Sequence, residues 1–143
     1  MRQDFRCDCP FTSALDVLGD KWILVIIKQM LIEGKETFKD FTESDEAIAT
    51  NILSSKLKLL EEVGIIIKTK RPDNKKTSLY LLTEKGLALI PVLVELALWS
   101  DKNLRVQNAE MFSIAEAGFN QDKSKVTKGI QNNYRQLVQE ILG

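Results

Sequence analysis

The chain has 143 residues, of which 44% are hydrophobic and 28% charged, and its twenty Lys or Arg equal its twenty Asp or Glu in number. This length and composition predict one soluble globular domain, residues 1–143, with its own hydrophobic core. No histidine occurs, which removes the usual general base, the usual metal ligand and the Ser-His-Asp and Cys-His constellations. Glycine-rich phosphate loops are absent as well. We therefore expect no enzyme, no cofactor and no metal site.

The N-terminus reads MRQDFRCDCP and lacks the apolar core of a secretion signal. The longest apolar runs are interrupted by charge or by Pro91, so none is expected to span a bilayer. We expect a cytoplasmic protein with no membrane partner, in which Cys7 and Cys9 are thiols and form no structural disulfide.

Three helices are predicted before residue 44. The first covers Pro10–Leu18, with proline in its first turn, and the second starts at Asp20 and ends before Gly34. Residues 37–40 read Thr-Phe-Lys-Asp, a capping-box pattern that starts a short third helix through about Glu43. Residues 44–46 then form the turn of a helix-turn-helix.

The fourth predicted helix begins with Thr50 as its N-cap and ends before Gly64. One side carries an apolar seam of Leu53, Leu57 and Leu60. The opposite side carries short polar side chains and one lysine at helical spacing, which suits a helix that enters the major groove of DNA. An ordinary solvated face is the alternative interpretation. The candidate base-reading residues are Thr50, Asn51, Ser54, Ser55 and Lys58, and Thr37 and Lys39 are assigned to support the helix-turn-helix.

A β-hairpin with a cationic tip follows this helix. Residues 65–71 form a β-branched run, residues 72–76 a turn cluster, and residues 77–82 the return strand. The cations suit contact with a phosphate backbone or a minor groove, which makes the hairpin a candidate wing. Lysines that keep a sheet edge soluble are the alternative. The wing candidates are Lys68, Lys70, Arg71, Lys75 and Lys76.

Charge is distributed unevenly along the chain. Residues 49–78 contain seven Lys or Arg and three Asp or Glu, a net charge of +4, so the remaining thirteen cations and seventeen acids carry −4. Binding to a polyanion requires a local basic face, and a neutral total does not prevent it. Asp45 and Glu46 oppose this interpretation, because they lie in the turn before the reading helix and have to point away from phosphates.

The helix predicted after Thr83 runs from residue 84 to about residue 105. Residues 87–99 read LALIPVLVELALW and are apolar on all sides, which predicts burial against a partner as well as against the core. A second copy of the chain is the simplest partner, and Pro91 is expected to bend the helix without ending it. The candidate dimer residues are Leu87, Ile90, Val94 and Leu98.

Residues 109–117 are predicted to be helical, and a last helix carries an amphipathic stripe that is expected to pack on the dimer or on the N-terminal helices. The predicted fold class is therefore mainly α with a small β-hairpin wing, a dimeric winged helix-turn-helix. Residues 9–83 supply the N-terminal helices, the helix-turn-helix and the wing, and residues 84–143 supply the dimerisation helix and the C-terminal helices. The stripe of the last helix consists of Ile130, Tyr134, Leu137, Val138, Ile141 and Leu142.

Several short runs resemble, in the same order, motifs of the HxlR-type regulators, relatives of the MarR-type winged-helix proteins. The resemblance covers residues 9–100. It implies a homodimeric transcriptional regulator on a pseudo-palindromic operator in double-stranded DNA, with residues 50–62 in the major groove and residues 68–78 as the wing. It also implies that the apolar helix and the N-terminal segment build the dimer. The runs are CP at 9–10, ALDVLGDKW at 14–22, FKDF at 38–41, IATNIL at 48–53, LKLLE at 57–61, VG at 63–64 and YLLTEKG at 80–86.

In several members of that family, the cysteine that matches Cys9 senses electrophiles or oxidants. Cys9 lies just before the first predicted helix, where a thiolate is favoured, although the adjacent Asp8 opposes it. Cys7 departs from the family pattern, and its separation of one residue from Cys9 is a poor geometry for a mutual disulfide. Cys9 is therefore either a redox site or a small buried apolar residue at the dimer interface. Pairing across a dimer is a further alternative, and zinc binding by two CxC pairs is weaker because the spacing is short and histidine is absent.

Two other functions compete with a redox- or electrophile-responsive DNA-binding regulator. One is a winged-helix module that binds protein, motivated by the acidic turn at residues 45–46 and by the neutral total charge. The other is a regulator with a small-molecule pocket between the dimer helix and the DNA-binding core. The expected partners are thus double-stranded DNA, a second copy of the chain, and an unknown small-molecule or oxidant effector.

Overall fold

The structure, a computed structural model, describes residues 4–113 and 122–143. Seven helices and one two-stranded sheet lie within these residues, so the prediction of a mainly helical chain with one β-hairpin is confirmed. In chain order the elements are α1 (Pro10–Leu18), α2 (Lys21–Ile32), α3 (Phe38–Thr42), α4 (Thr50–Glu62), β1 (Ile66–Lys70), β2 (Ser78–Leu82), α5 (Glu84–Leu87), α6 (Ile90–Asn103) and α7 (Lys123–Leu142).

The predicted starts of α2 and α3 are confirmed by their caps. The Asp20 carboxylate accepts a hydrogen bond from the backbone N–H of Trp22 at 2.8 Å. Thr37 and Asp40 form a reciprocal capping box at the start of α3. These side chains satisfy backbone donors that a helix leaves unpaired at its N-terminus.

The start of α4 differs from the prediction. Ala49 is the N-cap, in an extended conformation and without a side-chain cap, and Thr50 is already the first helical residue. The buried side chain of Ile48 lies just ahead of this point. Packing therefore places the N-cap at Ala49, although the capping chemistry of the side chains alone favours Thr50. The predicted end is confirmed: Gly64 follows α4 with φ of +80°, a conformation that glycine adopts without steric cost.

The hairpin pairs β1 with β2 in antiparallel register, with Ile66 opposite Leu82 at its base and Lys70 opposite Ser78 near its tip. The inner strand β2 is largely buried, whereas β1 is largely exposed. The edge of β2 that does not pair with β1 is covered at Tyr80, whose backbone N–H donates to the carbonyl oxygen of Glu36 at 2.7 Å. One face of the hairpin therefore completes the core, and its tip projects from the body.

The helix predicted over residues 84–105 is interrupted, which corrects the prediction for Pro91. Helix α5 ends at Leu87, and after two intervening residues α6 begins at Ile90 with Pro91 in its first turn. Proline has no backbone N–H and its ring crowds the carbonyl of the residue four positions earlier, so it suits a helix start and not a helix interior. At Gly86 an added Cβ would lie 2.5 Å from the carbonyl oxygen of Ile65, which shows how closely α5 approaches β1.

The C-terminal segment differs in two respects. Residues 109–113 are not helical, and the rest of the helix predicted over residues 109–117 lies outside the described residues. The last helix, α7, packs most extensively on α6. Four members of the predicted stripe, Ile130, Tyr134, Leu137 and Val138, pack on the protomer's own core, whereas Leu142 at its end is 41% exposed.

One hydrophobic core connects the N-terminal helices, the helix-turn-helix and the hairpin. Its buried members include Ile23 of α2, Phe41 of α3, Leu60 of α4 and Ile66 of β1. Burying one such side chain contributes about 1.5–3 kcal/mol, so this core fixes α4 relative to the hairpin. Across the part of the chain that the structure describes, no helix has the length and apolar character needed to cross a membrane.

Candidate nucleic-acid interface

Helix α4 presents one polar, exposed side to solvent. Leu53 and Leu60 are fully buried and Leu57 is 2% exposed, so the predicted inner seam is confirmed. The opposite side, here called the reading face, is exposed and consists of Asn51, Ser54, Ser55 and Lys58, with Thr50 exposed in the first turn. Short hydrogen-bonding side chains near a helix N-terminus allow the backbone to approach base edges in a major groove.

Of the two acids in the turn ahead of α4, Glu46 is bound to α2 and Asp45 is exposed. Glu46 binds Lys28 Nζ, and its other oxygen accepts from Gln29 Nε2 at 3.1 Å. The hydrogen bond from Lys28 lowers the pKa of Glu46, so this carboxylate stays ionised and neutralised. Ala47, next along the chain, has φ of +52°, which a non-glycine residue adopts at a cost of about 1–2 kcal/mol. The contact between Glu46 and α2 therefore holds a strained turn in the position that sets the start of α4.

The wing, defined here as residues 66–82, carries the five predicted cations in three different settings. Lys75 and Lys76 lie in the exposed turn at the tip. Lys68 lies 5.8 Å from the centre of the Tyr80 ring, and Lys70 Nζ donates to Ser78 Oγ at 2.9 Å. Arg71 binds Glu36 at 3.1 Å. Within the described residues, the side chains of Lys75 and Lys76 form no ion pair, hydrogen bond or ring contact, so they are the wing cations most available to phosphates.

Two further contacts support the helix-turn-helix. Thr37 caps α3, as predicted, whereas Lys39 is exposed and meets Glu43 only at 3.9 Å. Lys56 on the flank of α4 binds Asp20, the N-cap of α2, at 3.0 Å. This second contact joins α4 to α2, and the sequence offered no signal for it because 36 residues separate its two partners.

The predicted dimer residues are placed mostly inside the protomer, which corrects that assignment. Leu87, Ile90 and Val94 are 2%, 1% and 7% exposed and belong to the chain's own core, so a partner could not reach them. Leu98 is partly buried against the same core. The apolar side chains of α6 that do face solvent lie on its other side at helical spacing: Val92, Leu96 and Trp99.

Both cysteines are free and exposed in the protomer. Hydrogen bonding from the Thr12 backbone N–H, assisted by the Thr12 hydroxyl and the Phe11 N–H, lowers the pKa of Cys9. The segment before Cys9 is held on α1, because Arg6 Nε donates to Asp16 Oδ1 at 2.6 Å. Among the described residues, no cluster of three or more potential ligands is arranged for a metal ion.

The sequence also matches a known family over the elements just described. Residues 17–108, which include α2 to α6 together with the wing, match the sequence model of the HxlR-like helix-turn-helix family. The chain belongs to the HxlR-like helix-turn-helix family. It is therefore a DNA-binding transcriptional regulator, and the reading face and wing lie inside the matched region.

Relatives of this HxlR-like chain match about two thirds of it and most of their own length. The transcriptional regulator YodB of Bacillus subtilis (strain 168) is 37% identical over 95 residues, which are 66% of this chain and 84% of YodB. The quinone-bound structure of YodB has a TM-score of 0.53 and 34% identity, and covers 66% of this chain and 99% of that one. The redox regulator HypR in its reduced form has a TM-score of 0.59 and 29% identity, with 71% and 99% coverage.

Proposed function

We propose that this HxlR-like regulator acts as a homodimer that reads two half-sites of a pseudo-palindromic operator. In each protomer α4 enters the major groove and the wing lies on the phosphate backbone. The observation that carries the proposal is the exposed, polar reading face of α4 beside the cationic tip at Lys75 and Lys76. Phosphate contacts supply affinity and base contacts supply sequence preference, and this arrangement provides both.

The contacts of Glu46 favour DNA over a protein partner that an acidic turn would attract. Its carboxylate is engaged by Lys28 and Gln29, so it adds no exposed negative charge beside α4. The remaining charges near the reading face include Lys58, and those at the wing tip include Lys75 and Lys76. Exposed cations therefore lie where a phosphate backbone would be, together with the exposed acids Asp45 and Asp73.

The dimer contact that we propose uses apolar side chains that the protomer leaves uncovered. Helix α1 has no buried residue, and its Phe11 and Leu15 are 71% and 44% exposed. The outer stripe of α6, which includes Leu96 and Trp99, is also exposed. Contiguous exposed apolar side chains at helical spacing mark association surfaces, and a two-fold axis would place the two reading helices about one DNA turn apart or a multiple of it.

We expect operator binding with a steep dependence on salt. Fluorescence anisotropy with DNA from upstream of the protein's own gene and of adjacent genes, between 50 and 200 mM salt, should give a linear fall of log K with log[salt]. The double variant Lys75→Ala/Lys76→Ala removes four cations per dimer, so the slope should decrease in magnitude by about 3–4. Binding that is independent of salt, or a slope unchanged in the variant, would contradict backbone contact by the wing.

We further propose that Cys9 is the site through which an electrophile or oxidant releases the regulator from DNA. The depressed pKa enriches the nucleophilic thiolate, and Cys9 is exposed at the start of α1. The structures of YodB with bound quinone and after treatment with diamide, and of HypR in oxidised form, are of family members that meet such reagents. Modification of Cys9 would act on α1, the helix that depends most on a partner for burial.

Replacement of Cys9 by serine should abolish release by these reagents. After treatment with diamide or a benzoquinone, the parent should lose operator binding, whereas Cys9→Ser should retain it within about twofold. Cys7→Ser is the matched control for the benzoquinone arm and should respond as the parent does, because addition of a quinone forms one S–C bond and needs only the Cys9 thiol. Equal release of the parent and of Cys9→Ser would show that Cys9 is structural.

A further inference from the structure

The last helix makes a direct hydrogen bond to the base of the wing. Tyr134 of α7 is 6% exposed, and its hydroxyl oxygen accepts from the backbone N–H of Leu82 at 2.9 Å. Leu82 ends β2 and pairs with Ile66 at the base of the hairpin. Burial raises the pKa of Tyr134, so the phenol remains neutral. A side chain 52 residues further along the chain therefore completes the edge of the wing strand.

A two-stranded hairpin is marginally stable by itself and takes its orientation from what covers its edge. The edge of β2 offers the backbone N–H groups of Tyr80 and Leu82. The first donates to the Glu36 carbonyl at 2.7 Å and the second to Tyr134. The Glu36 carboxylate also binds Arg71 at 3.1 Å. The two N–H groups thus hold the free edge of β2 at adjacent positions, and α7 supplies the partner of one of them.

Helix α7 is itself fixed to the body of the protomer. Arg135 binds both carboxylate oxygens of Glu84, with distances from 2.7 to 3.1 Å, and Gln131 Nε2 donates to the Leu87 carbonyl at 3.0 Å. Apolar side chains of the same helix pack against the core. The family match ends at residue 108 and α7 begins at residue 123, so this support for the wing lies outside the matched region.

We propose that Tyr134 is a positioning residue for the wing, which sets the angle at which Lys75 and Lys76 meet the phosphate backbone without itself touching DNA. The inference rests on the proposed role of the wing. If the hydroxyl is lost, the N–H of Leu82 has no partner from α7, and the edge of β2 keeps only the Tyr80–Glu36 hydrogen bond, beside the Arg71–Glu36 pair and the apolar packing of the strand. The wing cations then sample more orientations, so fewer of them reach phosphates at once.

The test is Tyr134→Phe, which keeps the ring and its packing and removes only the hydroxyl. We expect operator binding to weaken about three- to tenfold, with a smaller salt slope. Combined with Lys75→Ala/Lys76→Ala, the substitution should have less than about a twofold further effect, whereas combined with Asn51→Ala it should keep its full effect. Asn133→Ala is the matched control on α7 and should not change the salt slope, because Asn133 is exposed on this helix and uncharged.

Hydrogen exchange of the free protein gives a second readout. In Tyr134→Phe, exchange should accelerate in residues 78–82 and remain unchanged in α2. A uniform loss of protection in both regions, or the same loss of affinity in the Lys75/Lys76 and Asn51 backgrounds, would overturn the proposal, because it would show a purely structural role.

The same variants separate the two proposals. If Lys75→Ala/Lys76→Ala binds like the parent, the proposed role of the wing fails together with that of Tyr134. If that variant is impaired and Tyr134→Phe is not, only the role of Tyr134 fails.

Discussion

Asn51→Ala should weaken binding to the operator by roughly 5- to 150-fold while leaving binding to unrelated DNA unchanged. Asn51 is exposed in the first turn of α4, where a reading helix comes closest to base edges. Its carboxamide can donate to and accept from one adenine at the same time, a contact worth about 1–3 kcal/mol of discrimination. Asn51 forms no part of the buried core, so the fold should tolerate alanine at this position.

The measurement is a pair of anisotropy titrations at one salt concentration, one with the operator and one with a scrambled duplex. Asn133→Ala is a matched control, because Asn133 is exposed on α7 and lies outside the proposed interface. An equal loss on both duplexes would contradict base reading and would indicate a phosphate contact or a folding defect. The Lys75→Ala/Lys76→Ala variant should show that second pattern, since phosphate contacts are independent of sequence.

The parts of the fold that the sequence predicts well depend on local chemistry. Proline at the start of α1, the Asp20 cap and the Thr37 capping box determine helix starts from neighbouring residues. The turn cluster between the strands likewise places the hairpin within one residue of its observed ends. The inner seam and outer polar side of α4 follow from helical periodicity alone.

The parts that the sequence does not predict depend on contacts between distant residues. The Lys28–Glu46 pair and the Tyr134–Leu82 hydrogen bond each join segments far apart in the chain, so no local pattern marks them. The dimer assignment failed for a related reason. A helix that is apolar on all sides does not reveal which stripe faces its own core, and α6 directs Ile90 and Val94 inward.

The reassigned dimer surface leads to the second large effect, on Trp99. Trp99 is 58% exposed in the protomer and shares the outer stripe of α6 with Val92 and Leu96. Trp99→Glu would leave the core of the protomer intact, and would bury an unpaired carboxylate in the proposed interface, which costs several kcal/mol. We therefore expect a folded monomer near 16.2 kDa in light scattering, and twice that mass for the parent.

Operator binding should fall together with the dimer. A dimer engages its second half-site at high effective concentration, so a monomer limited to one half-site should bind about a hundredfold or more weakly. Ile32→Glu is the matched control: Ile32 is 64% exposed at the end of α2, away from this stripe, and the variant should remain dimeric. A dimeric Trp99→Glu with parental affinity would place the two-fold axis elsewhere, whereas a monomer that still binds the operator tightly would show that one reading face and one wing suffice for recognition.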